Sequence, residues 1–300
     1  MENHIILEPA KKIREIARNA LAGYWKPVML GMLIYYLLTD GIGMLLDYFF
    51  SYSYEMPGQF AANFTQSVPY GYQLYDLIIG GPIAFGLAMF LLAFFRSKKT
   101  DNTMLFEGFS FFGKTFVLQL LIYLKIFLWS LLFIIPGIIA GFRYSQAFYV
   151  MVDHPEYSPS KCIEESKRLM AGNKGRYFYL FLTFIGWAIL ASAPAAIYGE
   201  LSNDSISNII LSLVLGLPQV ALLAYVQVSL TVFYELADQR LVVVDGIDPE
   251  NVVNTSYTVE ENRNEENKEE INEENKEEII KEDKKEIDEE KNDKADDVDE

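Results

Sequence analysis

One cysteine, Cys162, and two histidines, His4 and His154, are all that this chain of 300 residues holds of these types. A lone cysteine excludes an intramolecular disulfide and a cysteine metal site. Two histidines are too few for a histidine cluster, leaving only carboxylates for a hard cation. HExxH, GxSxG and phosphate-loop patterns are also missing. Ser145 and Ser166 have no histidine beside them in the sequence to activate them as nucleophiles. An enzyme is therefore the last-ranked class, with no catalytic residue, cofactor or metal ligand expected. The first 22 residues lack a continuous apolar core, so no cleavable signal is expected and the first apolar run should stay as an anchor.

Charge is also missing where a soluble protein would spread it. Residues 1–246 hold 17 basic and 18 acidic side chains, a net −1, whereas 247–300 hold 8 and 23, a net −15. The acidity thus belongs to a tail, which excludes nucleic acid as the tail's partner. That tail repeats NEENKEEI at 264–271 and 272–279. An eight-residue period fits neither the heptad nor the 3.6-residue repeat, and aromatics are nearly absent. A disordered extension is expected.

What is present in quantity is apolar. Runs near 20 residues can cross a bilayer core, and the pattern predicts an all-α, multi-pass transmembrane bundle. The expected spans are about 28–50, 77–95, 116–135, 138–152, 178–198 and 209–234. Residues 51–75 lack Lys and Arg, while 96–114 and 154–176 are basic, so the positive-inside bias puts both flanks of 116–152 in the cytoplasm. That segment should go out and return, with Pro136-Gly137 as the hairpin tip. Six spans put both termini inside. Gly80-Gly81-Pro82 reads as close packing or a kink, and Gly216-Leu-Pro218 as an interruption of the last span.

Two amphipathic stretches flank the spans. Within a cytoplasmic segment at 1–26, residues 9–22 give a helix with Ile13, Ile16, Ala17, Ala20 and Leu21 on one face, expected to lie among lipid headgroups. Residues 158–171 give another, with Ser158 as N-cap and Pro159 in the first turn. Gly172 is its stop, and Cys162, Ile163, Ser166, Leu169 and Met170 form its apolar face. Lys161–Glu165 and Glu164–Arg168 are expected as exposed pairs. The six-span domain occupies 27–240 and the tail 247–300.

Charges inside spans are functional candidates by default. Lys125, Asp40 and Arg143 qualify, and the alternative for each is a satisfied group that only fixes packing. Counted at 1.5 Å per residue, Lys125 lies roughly 14 Å and Asp40 roughly 18 Å from the cytoplasmic side, which predicts that they pair.

Three ordered elements carry a resemblance. They are IPGIIAGFRYS at 135–145 (Pro136, Gly137, Tyr144), SKRLMAGNK at 166–174 (Ser166, Lys167, Met170, Gly172, Lys174) and FIGW at 184–187 (Gly186, Trp187). With IREIARNAL near the start, they resemble the DUF975 family of bacterial integral membrane proteins over about 10–240. Asn173 stands where the family often has histidine. The resemblance implies a multi-pass protein of the bacterial cytoplasmic membrane with no assigned activity. Three function classes follow in order: a non-enzymatic scaffold or accessory factor in envelope maintenance or peptide export, a small-solute or lipid transporter or channel using Lys125 and Asp40, and an enzyme. The expected partners are membrane lipids, with other membrane proteins or a second copy left open.

Overall fold

The structure, a computed structural model, describes residues 5–55, 65–201, 211 and 214–241. All of these fall within the first of two compact units, Met1–Val253. The second, Asn254–Glu300, lies outside the described residues and takes the acidic repeat with it.

The first long helix is built in three pieces. α2 (Trp25–Tyr36) passes through a π-helical turn at Leu37–Gly41 into α3 (Ile42–Phe50). A π turn widens the spiral by one residue and needs its displaced backbone groups satisfied. Here the Thr39 hydroxyl donates to the Tyr35 carbonyl (2.9 Å), and the Tyr75 hydroxyl donates to the Leu38 carbonyl (2.6 Å). Preceding it, α1 (Ala10–Leu21) starts after Pro9, whose extended backbone (ψ 152°) sits at the cap.

A two-stranded antiparallel ladder follows, β1 (Ser51–Glu55) with β2 (Thr65–Pro69), in register Ser51↔Pro69 to Glu55↔Thr65. It stands in the stretch free of basic residues. α4 (Tyr70–Ser97) then runs for 28 residues with Pro82 inside it. A 3₁₀ helix (Asn102–Phe109) folds back along α4, and its approach explains the small residues. A Cβ on Gly86 would strike the Leu105 carbonyl, one on Gly108 the Pro82 carbonyl, and one on Gly81 would come within 2.5 Å of the Thr115 carbonyl. Gly80-Gly81-Pro82 is thus a site of close packing, since a Cβ on Gly80 would also come within 2.7 Å of the Asp76 carboxylate.

α5 (Phe112–Leu132) and α6 (Ile134–Tyr144) form an antiparallel hairpin. Its tip is Phe133, extended at φ −163° and ψ 155°, not Pro136-Gly137 as the sequence suggested. Pro136 fits the first turn of α6, where a missing N–H costs nothing. Gly137 serves contact instead of reversal, because a side chain there would run into Ser130. The predicted returning span at 138–152 is also not one helix. α6 ends at Tyr144, and α7 (Ala147–Asp153) begins after a break at Ser145-Gln146. The two ends of the excursion nevertheless meet, since the Lys114 ammonium donates to the Pro155 carbonyl.

α8 (Pro159–Leu169) has the expected caps: the Ser158 side chain accepts from the Lys161 N–H, and Gly172 takes a left-handed φ of +83°. Its predicted face is buried, covered by α5, α6 and α7. Arg168 pairs with Glu165 at 2.5 Å, one residue nearer than the predicted Glu164. α9 (Lys174–Leu201) and α10 (Leu217–Ala237) complete the bundle, α10 starting at Gly216-Leu-Pro218 where the interruption was read. The start of the last span, near 209, lies outside the described residues.

Among the described residues, five helical stretches are long and apolar enough to cross a membrane: Trp25–Phe50, Gly71–Ser97, Phe112–Leu132, Lys174–Pro194 and Leu217–Ala237. Their surfaces divide in two. α5, the start of α6 and α9 present large apolar side chains outward, with Leu131, Phe133, Ile134 and Ile135 each at least 70% exposed. Such a surface suits lipid. By contrast, α4 from Ile83 to Phe95 and α10 from Val228 to Ala237 are buried almost all round. α1 completes that protected region. Ile13, Ile16, Ala17, Ala20 and Leu21 are at most 1% exposed because α1 packs on α10 and α9, so its apolar face meets protein where lipid headgroups were expected. The Tyr225 hydroxyl donates to the Arg14 carbonyl (3.1 Å) across this contact.

Candidate functional site

Three helices bring their polar ends together at one point. Arg96, near the end of α4, forks onto Asp153 at the end of α7, with Nη1–Oδ1 at 2.6 Å and Nη2–Oδ2 at 2.8 Å. The same guanidinium donates through Nε to Glu235 of α10 (2.8 Å). The Tyr234 hydroxyl donates to Asp153 Oδ2 (2.7 Å), and Arg240 approaches that oxygen at 3.4 Å while donating to Asp238. The Asp153 and Glu235 side chains are only 4% and 5% exposed. Charges removed from water at this cost survive only when every one is answered, and here each is. Burial pushes the Asp153 carboxyl up, but hydrogen bonds and charge from Arg96, with help from Tyr234 and Arg240, outweigh it and hold it below its ordinary value.

Beside this cluster lies the α6–α7 break, where two of the three sequence elements meet. The Ser166 hydroxyl donates to the Arg143 carbonyl (2.9 Å) and accepts from the Gln146 N–H (3.1 Å). One side chain on α8 thus satisfies backbone groups that the helix break leaves open. Lys167 lies over the Tyr144 ring (6.0 Å), and Tyr144, Met170 and Ser166 are buried. Tyr149 of α7 stacks on Tyr234 (5.0 Å), linking the break to the charge cluster. Asn173, at the turn into α9, accepts from the Ile6 N–H (2.9 Å) and donates to the Leu169 carbonyl (2.8 Å), tying the N-terminus to α8 and α9. The third element does not join them. Trp187 is 60% exposed on α9, and a side chain at Gly186 would meet nothing within 4 Å.

The intramembrane charges separate. Asp40 sits in the π turn, exposed, with the Thr39 hydroxyl 3.1 Å away, the single proton of which goes to the nearer Tyr35 carbonyl. Lys125 is half-buried on α5, which packs on α4, α6 and α8. Among the described residues no ion pair joins the two, so the predicted Lys125–Asp40 bridge is not formed. Distance along the span equalised their depths, but α5 packs chiefly on α4, α6 and α8 and the π turn on α2 and α3. Arg143 is half-buried at the end of α6, where its backbone carbonyl, not its charge, makes the contact to α8. Elsewhere Asp76 of α4 receives the Tyr123 hydroxyl (2.5 Å).

Asp153, Tyr234, Glu235 and Arg240 escaped the sequence reading, which used Arg96 only as a cytoplasmic stop. The available signal was that two acids and two bases stand at the ends of three apolar stretches, but one sequence does not say which ends meet.

Comparison with curated proteins gives no match, nor does comparison with solved structures. The family comparison does give one, over residues 7–140 and 131–240, to the family described as "Protein of unknown function (DUF975)". The match contains the hairpin, the Ser166 junction, Arg96, Asp153 and Glu235, and the chain is a member of the DUF975 family.

Proposed function

We propose that this membrane protein is a non-enzymatic scaffold or accessory factor that crosses the bilayer six times with both termini in the cytoplasm. The observation that carries the reading is the Arg96 cluster. Its acids and bases are committed to one another and join α4, α7 and α10, an arrangement suited to holding a fixed frame. Glu235 and Asp153 hold Arg96 where a transport pathway would need a charge able to change partners. The Lys114–Pro155 contact supports the out-and-back path of 116–152, and the basic residues flanking it support the cytoplasmic side. Membrane lipids are the expected partners, through the apolar faces of α5, α6 and α9.

Native mass spectrometry of the protein released from its own membrane in mild detergent tests this. A protein partner at fixed stoichiometry is the expected result. A bound small polar solute, with uptake of that solute into proteoliposomes, would overturn the scaffold reading in favour of transport.

A further inference from the structure

At the π turn the bundle surface opens into a groove of about 280 Å³. Tyr36 and Asp40 form one wall, α10 forms the other with Gln219, Leu222, Leu223 and Val226, and α9 closes it at Ala188. Its chemistry is uneven. One carboxylate and one carboxamide stand among aliphatic side chains, with a tyrosine ring at the edge.

Asp40 lies 15 residues along the first span from Trp25, or about 22 Å at 1.5 Å per residue. Gln219 lies 16 residues along α10 from Glu235, or about 24 Å from the Arg96 cluster. Both are thus far along their spans from the charged end. Among the described residues, no Lys or Arg pairs with Asp40; the Thr39 hydroxyl stands 3.1 Å from it, and the tyrosines around it, Tyr35, Tyr36 and Tyr72, carry no positive charge. A carboxylate within a span and without a cation is costly unless a ligand supplies one. The π turn adds to the cost, since it displaces backbone groups that Tyr75 and Thr39 must satisfy. Such turns persist where they place a side chain that a regular helix would not.

We propose that this groove binds an amphiphilic ammonium: a primary or substituted amine head on an aliphatic chain. The Asp40 carboxylate takes the charge, and the Gln219 carbonyl oxygen accepts an N–H. Tyr36 lines the same groove, and an aromatic ring beside an ammonium group is favourable. Leu222, Leu223 and Val226 cover the first methylenes. The groove's 280 Å³ lies just below the range of about 300–1,000 Å³ usual for small-molecule pockets. That suits a headgroup and the start of a chain, with the remainder leaving by the open side. An anionic or purely aliphatic amphiphile lacks the complement to Asp40. The inference is independent of the scaffold reading, because a fixed frame can carry a bound amphiphile without moving it.

The test uses the full-length protein in a non-ionic detergent, titrated with dodecylammonium, dodecyl sulfate and dodecanol and followed by thermal unfolding. Dodecylammonium should stabilise the wild type, and the other two should not. Asp40→Asn should weaken the dodecylammonium effect by about tenfold or more. Leu223→Trp, which fills the groove without touching the charge, should weaken it too, and carries the test if Asp40→Asn does not fold. Nanodiscs of phosphatidylethanolamine and phosphatidylglycerol then separate the sources. Retention of the amine lipid by wild type and its loss in Asp40→Asn identifies a lipid headgroup. Dodecylammonium binding without such retention identifies a free amine. Equal binding of dodecylammonium by wild type and both variants, or equal stabilisation by dodecyl sulfate, would overturn the proposal.

Discussion

Replacing Asp153 by asparagine keeps its shape and removes its charge. In the wild type this carboxylate accepts two N–H groups from Arg96 and one O–H from Tyr234, with Arg240 at 3.4 Å. Asparagine retains a single oxygen, and its amide N–H₂ would point at a donor. Stranding one member of a buried ion pair costs about 3–5 kcal/mol. Arg96 keeps Glu235 and is 23% exposed, so the cost falls below that range, at about 2–3 kcal/mol. For a body of this size each kcal/mol moves Tm by about 2–4 °C, which gives a fall of about 4–12 °C. The control is Glu165→Gln, which breaks a half-buried pair three residues apart on one helix and should cost about 1 kcal/mol. Thermal unfolding of the solubilised proteins, read by circular dichroism, compares them. The pH dependence adds a second readout. A carboxyl held below its ordinary value in the folded state binds its proton more readily when unfolded. Its contribution is complete above about pH 4 and is lost as pH falls through the folded value. The acid loss of Tm should therefore be shallower in Asp153→Asn. If Asp153→Asn lowers Tm no more than Glu165→Gln, the cluster is not a structural joint and the reasoning fails.

The 3₁₀ helix gives a packing prediction: Gly108→Ala drives a methyl into the Pro82 backbone and should cost about 1–3 kcal/mol or more, while Gly186→Ala on the open face of α9 should not lower Tm, since alanine is favoured in a helix interior. Topology is checked by cysteine labelling, for which the native thiol is unsuitable, because Cys162 is fully buried and burial pushes its pKa up to about 11. In a Cys162→Ser background, exposed reporters at Ser97→Cys and Glu164→Cys should both resist an impermeant reagent in intact cells; labelling of one alone refutes the out-and-back path of 116–152. Lys125→Ala and Asp40→Ala should be additive in a double-mutant cycle on accumulated protein, since the two do not meet; a coupling above about 1 kcal/mol would restore the bridge.

Local physics made much of this architecture legible in one dimension. Run length marked the long apolar helices but not the break at Ser145-Gln146, and Ser158-Pro159 and Gly172 set the limits of α8, because capping and left-handed geometry depend on neighbours in sequence. The faces of α1 and α8 followed from helical spacing, though spacing says only that a face must be covered, not by what. For α1 the cover is α10 and α9, and for α8 it is α5, α6 and α7. The hairpin tip went astray by three residues. Proline at the start of a helix and proline at a reversal look alike until the partner of Gly137 is known.

The sites depended on tertiary structure. Arg96, Asp153 and Glu235 lie 57 and 139 residues apart along the chain, and no periodicity relates α4, α7 and α10. Depth along a span put Lys125 beside Asp40, but depth is one coordinate of three, and helix packing sets the other two. The sequence by itself determined that the chain carries helices apolar enough to span a membrane, how α8 is capped, and which faces need cover. Only the packing of helices decided which charges answer one another and that Asp40 faces a groove, because burial costs fix partners in space that residue order does not encode.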